Sequence, residues 1–182
     1  IHVEGRWIKY NQGSEHLPLV KSLKGQNTGW CTAGESTAKT QLGNGDFYVY
    51  YSIDEQGSYT RPRVAIRMEG DQIAEVRGIG KDQNLDPHIA PTSIVDEKLK
   101  EFGNKGDVYR KKSSDMKRLT EIDKRHQNNE ELTKEDFRFL YEIDSRISGF
   151  GYRQDPRIDE ILSSRNKRKD IAWVLDIRED QI

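Results

Sequence analysis

Apolar positions recur every second residue in the first half of the chain and every third or fourth in the second half. This predicts strands up to about residue 92 and helices beyond it. The clearest strand covers residues 46–53, rich in aromatic and β-branched side chains. Its alternation puts Phe47, Val49, Tyr51 and Ile53 on one face and Tyr48, Tyr50 and Ser52 on the other. Residues 63–68 alternate cleanly, with Val64, Ile66 and Met68 inward and Arg63 and Arg67 outward. Glu69-Gly70-Asp71 signals a tight hairpin, and residues 72–79 form the return strand, in which the spacing of Ile73 and Val76 breaks the period of two. The expectation is an antiparallel meander of three strands over about residues 46–79. Residues 3–10 carry a weaker strand pattern.

Short helices are expected beside the meander. Residues 35–42 read as one that stops at Gly43-Asn44-Gly45, and residues 15–23 as another with Pro18 in its first turn. In the second half, Ser93 is placed to cap a helix running to about Phe102. Met116, Leu119 and Ile122 fall at helical spacing, with Ser114 as their cap. Thr133-Lys134-Glu135-Asp136 resembles a capping box ahead of Phe137, Leu140, Ile143 and Ile147. Asp155-Pro156 combines a cap with proline at the first helical position. Residues 100–112, with a Gly-Asn-Lys-Gly turn, are the best linker candidate. The fold class is therefore α+β: a small antiparallel sheet with flanking short helices over residues 1–92, then a helical region over 93–182 expected to pack on the first.

Composition narrows the function classes. The hydrophobic fraction is 33% and the charged fraction 34%, so the core must be economical and the surface densely charged. Thirty basic residues against thirty-one acidic ones give a formal charge of −1, so a polyanion would have to be met by a local patch. No stretch reaches the ~18 consecutive apolar residues of a membrane-spanning helix. The first residue is Ile rather than Met, from which the expectation is a piece of a longer parent protein, whose other regions are candidate partners. The chain has one cysteine, which suits a reducing, cytoplasmic setting. With four scattered histidines it shows no metal-ligand spacing, and no cofactor is expected.

The cysteine, Cys31, stands in Gly29-Trp30-Cys31-Thr32-Ala33-Gly34, just before an expected helix start. Unsatisfied backbone N–H groups there favour a thiolate or bind an anion directly. The simpler alternative is a packed thiol beside a core tryptophan. A thiol-dependent transferase or hydrolase would need a base, for which His88, between Pro87 and Pro91, is the candidate, with Gln26 as an oxyanion donor. A second polar group lies on the meander, where Glu75 can orient Arg67 or Arg77, with Gln83 and Asn84 following. Its alternative is a solvent-facing surface laced with weak ion pairs. The basic runs at Arg110-Lys111-Lys112 and Arg165-Asn166-Lys167-Arg168-Lys169 read as solvated helix ends, with cations suited to the C-terminal dipole.

The succession from Trp30 to Leu85 resembles a known arrangement. A Cys-containing turn and a short helix lead to Gly45-Asp46-Phe47-Tyr48-Val49 and Pro62-Arg63-Val64-Ala65-Ile66-Arg67, then to Ile73-Ala74-Glu75-Val76-Arg77-Gly78 and Gln83-Asn84. It is similar to the PcfJ-like proteins of conjugative plasmids and phages over about a third of the chain. Trp30 stands where that family has a histidine, and Thr32-Ala33 where it has Val-Gly. The resemblance implies a mobile-element or phage setting and a Cys-to-Arg-Gly unit working as one site.

The expected function is a binding or accessory module with a pocket between the Cys31 helix start and the meander. Trp30, Cys31, Thr32, Arg67, Glu75, Arg77, Gln83 and Asn84 would hold a small ligand, a nucleotide or a nucleic-acid end. The alternatives are the thiol enzyme using Cys31 and His88 and a protein-interaction domain of a longer protein.

Overall fold

The most apolar strand of the chain is buried on both of its faces. The computed structural model describes residues 4–23, 35–79, 93–151 and 153–182, and the chain divides into two units between Asp107 and Val108. In the first unit, β1 (Gly5–Tyr10), β2 (Phe47–Ile53), β3 (Tyr59–Glu69) and β4 (Gln72–Gly78) form one antiparallel sheet in the order β1-β2-β3-β4. The expected three-strand meander is thus four-stranded. β1 lies along β2 from Gly5↔Ser52 to Tyr10↔Phe47. Two helices separate β1 from β2 in the chain, so their pairing is non-local and no hairpin motif announces it.

One face of the sheet carries α1 (Leu17–Leu23) and α2 (Glu35–Asn44), whose Leu19, Leu23 and Leu42 pack with Phe47, Val49, Tyr51 and Ala65. Beneath them Tyr51 Oη meets Tyr10 Oη at 2.7 Å and also contacts Ser22 Oγ. Buried Gln41 ties α2 to the sheet by donating to the Met68 carbonyl at 3.1 Å. On the opposite face Ile94 and Val95 of α3 (Ile94–Glu101) pack with Tyr50, Val64, Trp7 and Val76. Tyr48 meets Phe102 edge-on there, at 5.4 Å. Helices on both faces account for a β2 without a polar side.

The register slips at three places in the sheet, and the slip between Tyr50 and Tyr51 corrects the outward reading of Arg63. Tyr50 pairs with Val64 but Tyr51 with Pro62, which leaves Arg63 as the extra residue of a bulge and buries it to 5% exposure. Pro62, which has no N–H to give a ladder, sits at that bulge beyond the last β3–β4 pair. A further slip, between Arg67 and Met68 on β3, pairs Met68 with Ile73 while Ile66 pairs with Val76. The extra residue returns Ile73 and Val76 to one face although they stand three apart.

Gly5 fits only without a side chain. A Cβ there would lie 2.7 Å from Tyr50 Cε1 and press on the Tyr51 carbonyl. Gly5→Ala should therefore destabilise the sheet by about 1–3 kcal/mol. A urea midpoint equal to that of the parent protein would show that the approach of β1 to β2 is looser than this.

The second unit is helical: most of α4 (Asn104–Gln127), then α5 (Lys134–Leu140), α6 (Pro156–Leu162), α7 (Lys167–Leu175) and a final 3-10 turn, Glu179–Gln181. Leu119, Ile122, Phe137, Leu140, Ile158, Ile161 and Val174 form its core. Of the four caps expected from sequence, those at Thr133 and Asp155 are made, whereas Ser93 stands at the start of α3 with its hydroxyl donating to Glu97 Oε1 instead of capping a backbone N–H. Asp136 N donates to Thr133 Oγ1 at 3.2 Å and Thr133 N to Asp136 Oδ2 at 2.8 Å, while Asp155 accepts from Arg157 N at 3.0 Å with Pro156 following.

Other expectations change. Ser114 lies inside α4 and caps nothing, because that helix begins ten residues earlier at Asn104. The proposed linker at 100–112 is almost wholly helical, with α3 ending at Glu101 and Gly103 turning the chain at φ +59°. Ile143 and Ile147 pack on the core from beyond α5, after Glu142 adopts φ +55°. Arg110-Lys111-Lys112 is helix interior, and the run at 165–169 opens α7, where Asn166 caps Lys169 N at 3.0 Å. Among the described residues no helix is long and apolar enough to cross a membrane.

Candidate binding site

The β3–β4 register places Arg67 opposite Glu75 and Ala65 opposite Arg77. Residues paired across strands share a face, and Phe47 and Val49 continue the same two rows on β2. Arg67, Glu75 and Arg77 therefore stand on the face that carries α1 and α2, at its β4 side. Glu75 uses both carboxylate oxygens. Oε1 accepts from Arg77 Nε at 2.6 Å and Oε2 from Arg67 Nε at 3.3 Å. Arg67 Nη1 also donates to Glu69 Oε1 at 2.8 Å.

The Glu75 and Arg67 side chains are 25% and 24% exposed and Arg77 is 40% exposed, so the cluster is a partly desolvated rim rather than a freely solvated surface. Burial would lower the basicity of the Arg67 guanidinium, but its bonds to Glu69 and Glu75 outweigh that and hold it above the usual arginine value. Two guanidiniums and two carboxylates leave the cluster electrically neutral. Its asset is therefore geometry. A guanidinium braced at Nε has a fixed plane, which suits bidentate contact with a phosphate or carboxylate. Glu69 was not foreseen. Its signal was its place two residues beyond Arg67 on the same strand, where side chains return to the same face.

Of the residues expected at the site, the described structure brings together Arg67, Glu75 and Arg77. Trp30, Cys31, Thr32, Gln26, Gln83, Asn84 and His88 lie outside the described residues. Among the described residues no group of three or more His, Cys, Asp or Glu side chains is placed to hold a metal ion. No protein-family model, characterised protein or solved structure matches the chain. Its class is accordingly defined by its own architecture, an antiparallel sheet with helices on both faces and a braced arginine pair at one side, joined in sequence to a helical unit.

Proposed function

We propose that the sheet unit is a binding or accessory module for a small anionic ligand, of the kind a nucleotide or a nucleic-acid end presents. The ligand is held between the Trp30-Cys31-Thr32 turn and the Arg67, Glu75 and Arg77 face, with Gln83 and Asn84 contributing polar contacts. The observation that carries this reading is Glu75, a partly buried carboxylate that holds two guanidiniums side by side. Chain connection supports the rest. Trp30, Cys31 and Thr32 belong to the segment joining α1 to α2, the two helices on this face, and Gln83 and Asn84 follow within six residues of the end of β4. The mobile-element or phage setting implied by the resemblance belongs to the same proposal.

The test is thermal stabilisation by phosphate, AMP, ATP and a 5′-phosphorylated dinucleotide. A ligand that binds the folded state raises the melting temperature by mass action. Arg77→Ala should abolish that rise while changing the stability of the ligand-free protein by less than about 1 kcal/mol, since the side chain is substantially exposed. A rise that persists in Arg77→Ala for every ligand, or the absence of any rise in the parent protein, would overturn the assignment.

A further inference from the structure

The helical unit contains a cleft of about 810 Å³ whose walls come from α4, the 142–155 segment and the start of α6. Met116, Ile147 and Ile158 supply apolar surface, and Phe150, Arg146 and Arg153 also line it. Phe150 is 50% exposed, high for a phenylalanine in a unit with few apolar residues to spare. Its ring leans on Tyr109, with centroids 5.8 Å apart, and Lys112 Nζ stands 6.0 Å over it.

The wall bearing these groups is held through its backbone. Lys111 Nζ donates to the Arg146 carbonyl at 2.6 Å, and Ser148 N donates to Asp115 Oδ2 at 2.9 Å. Ile147 N donates to Glu142 Oε1 at 3.3 Å. The side chains of Arg146 and Arg153 make no ion pair among the described residues. Of the two lining carboxylates, Asp155 is already neutralised by Arg157, through Nε and Nη2 at 3.0 Å each.

Gly149 and Gly151 flank Phe150, and neither needs to be glycine for folding. Neither has a positive φ, and a Cβ at Gly149 would only make ordinary 3.6 Å contact with the Met116 thioether. What glycine provides here is room. It keeps the cleft open beside an aromatic ring that already has cations near it.

An exposed aromatic platform with uncommitted cations around it is the chemistry that takes a base and its phosphates. We propose that this cleft binds single-stranded nucleic acid, with one base stacked on Phe150 and the flanking phosphates on Arg146 and Arg153. The cleft is lined by residues of the helical unit alone, and Arg77 belongs to the other unit.

Fluorescence anisotropy of labelled dT10 and U10 with the full chain tests it. Phe150→Ala should weaken binding about tenfold or more, in line with loss of base stacking. Arg146→Glu with Arg153→Glu should abolish binding, and rising salt should weaken the parent complex in the manner of a few phosphate contacts. Gly149→Ala separates binding from folding, because a methyl in the cleft should weaken binding at least threefold without lowering the melting temperature. If UMP competes with U10 at matching affinity, the base-and-phosphate site stands and its natural source is the free nucleotide. Failure of dT10 and U10 to bind at 50 µM or so would overturn the proposal. So would binding that Phe150→Ala leaves intact, or equal binding of polyglutamate, which has charge but no bases.

Discussion

Asp136→Ala is expected to destabilise the helical unit by about 3 kcal/mol. The carboxylate is 8% exposed and accepts from Arg125 Nη1 and Nη2 at 2.6 and 2.7 Å, while its Oδ2 also accepts the Thr133 N–H. One substitution thus removes half of a buried ion pair and one arm of a helix cap. Breaking a fully buried pair costs about 3–5 kcal/mol, and the 35% exposure of Arg125 puts the value at the lower end.

The loss should depend on pH. Burial pushes the Asp136 carboxyl up, but Arg125 and the Thr133 hydrogen bonds outweigh it, so its folded-state pKa is below the ordinary value. A depressed carboxylate contributes stability that is fully present above the unfolded pKa of about 4 and disappears as pH falls through the folded value. Asp170 behaves alike. Burial raises its pKa, but the Arg165 guanidinium and the Tyr141 hydroxyl, 2.6 Å away, more than reverse this. Urea denaturation at pH 7 and at a pH of about 2.5 should show the Asp136→Ala deficit shrinking at the lower pH. A deficit of equal size at both would mean that Asp136 acts through packing rather than charge.

Phe47→Ala should cost the sheet unit about 3–5 kcal/mol. The ring is fully buried, in the cluster of Leu19, Leu42, Val49 and Ala65 beneath α1 and α2. Deleting it removes the apolar transfer energy and leaves a cavity that two helices and a sheet can only partly close. Phe47→Leu should cost less than half as much, because most of the volume is kept. Phe47 is also the cross-strand neighbour of Arg67, so the alanine variant should lose ligand-induced stabilisation along with its fold. Arg77→Ala should separate the two effects. A loss below about 1 kcal/mol in chemical denaturation would contradict the packing described for this face.

Local signals were readable wherever the deciding contacts are near in sequence. The Thr133–Asp136 box, the Asp155-Pro156 start and the Glu69-Gly70-Asp71 turn each depend on residues within a few positions, and each is present. Ser114 misled because a good capping residue is tolerated inside a helix when a longer run of helical residues continues through it. Ile143 and Ile147 misled because a core accepts apolar side chains from irregular chain as readily as from a helix. For the site, alternation and pairing were enough to place Arg67, Glu75 and Arg77 together. Alternation could not say that helices cover their face.

By itself, then, the sequence determined the α+β class, the β2–β3–β4 succession, the helical second half and the neighbourhood of one carboxylate to two arginines. Tertiary structure decided the fourth strand, the bulge that buries Arg63, the burial of both sheet faces and the cleft around Phe150. The division has one physical cause. Strand period, turn chemistry and caps are set by neighbours along the chain, whereas the partner of an edge strand and the cover of a face are set by residues brought close only when the chain folds. The pairing of Gly5–Tyr10 with Phe47–Ile53 across two intervening helices is the plainest case.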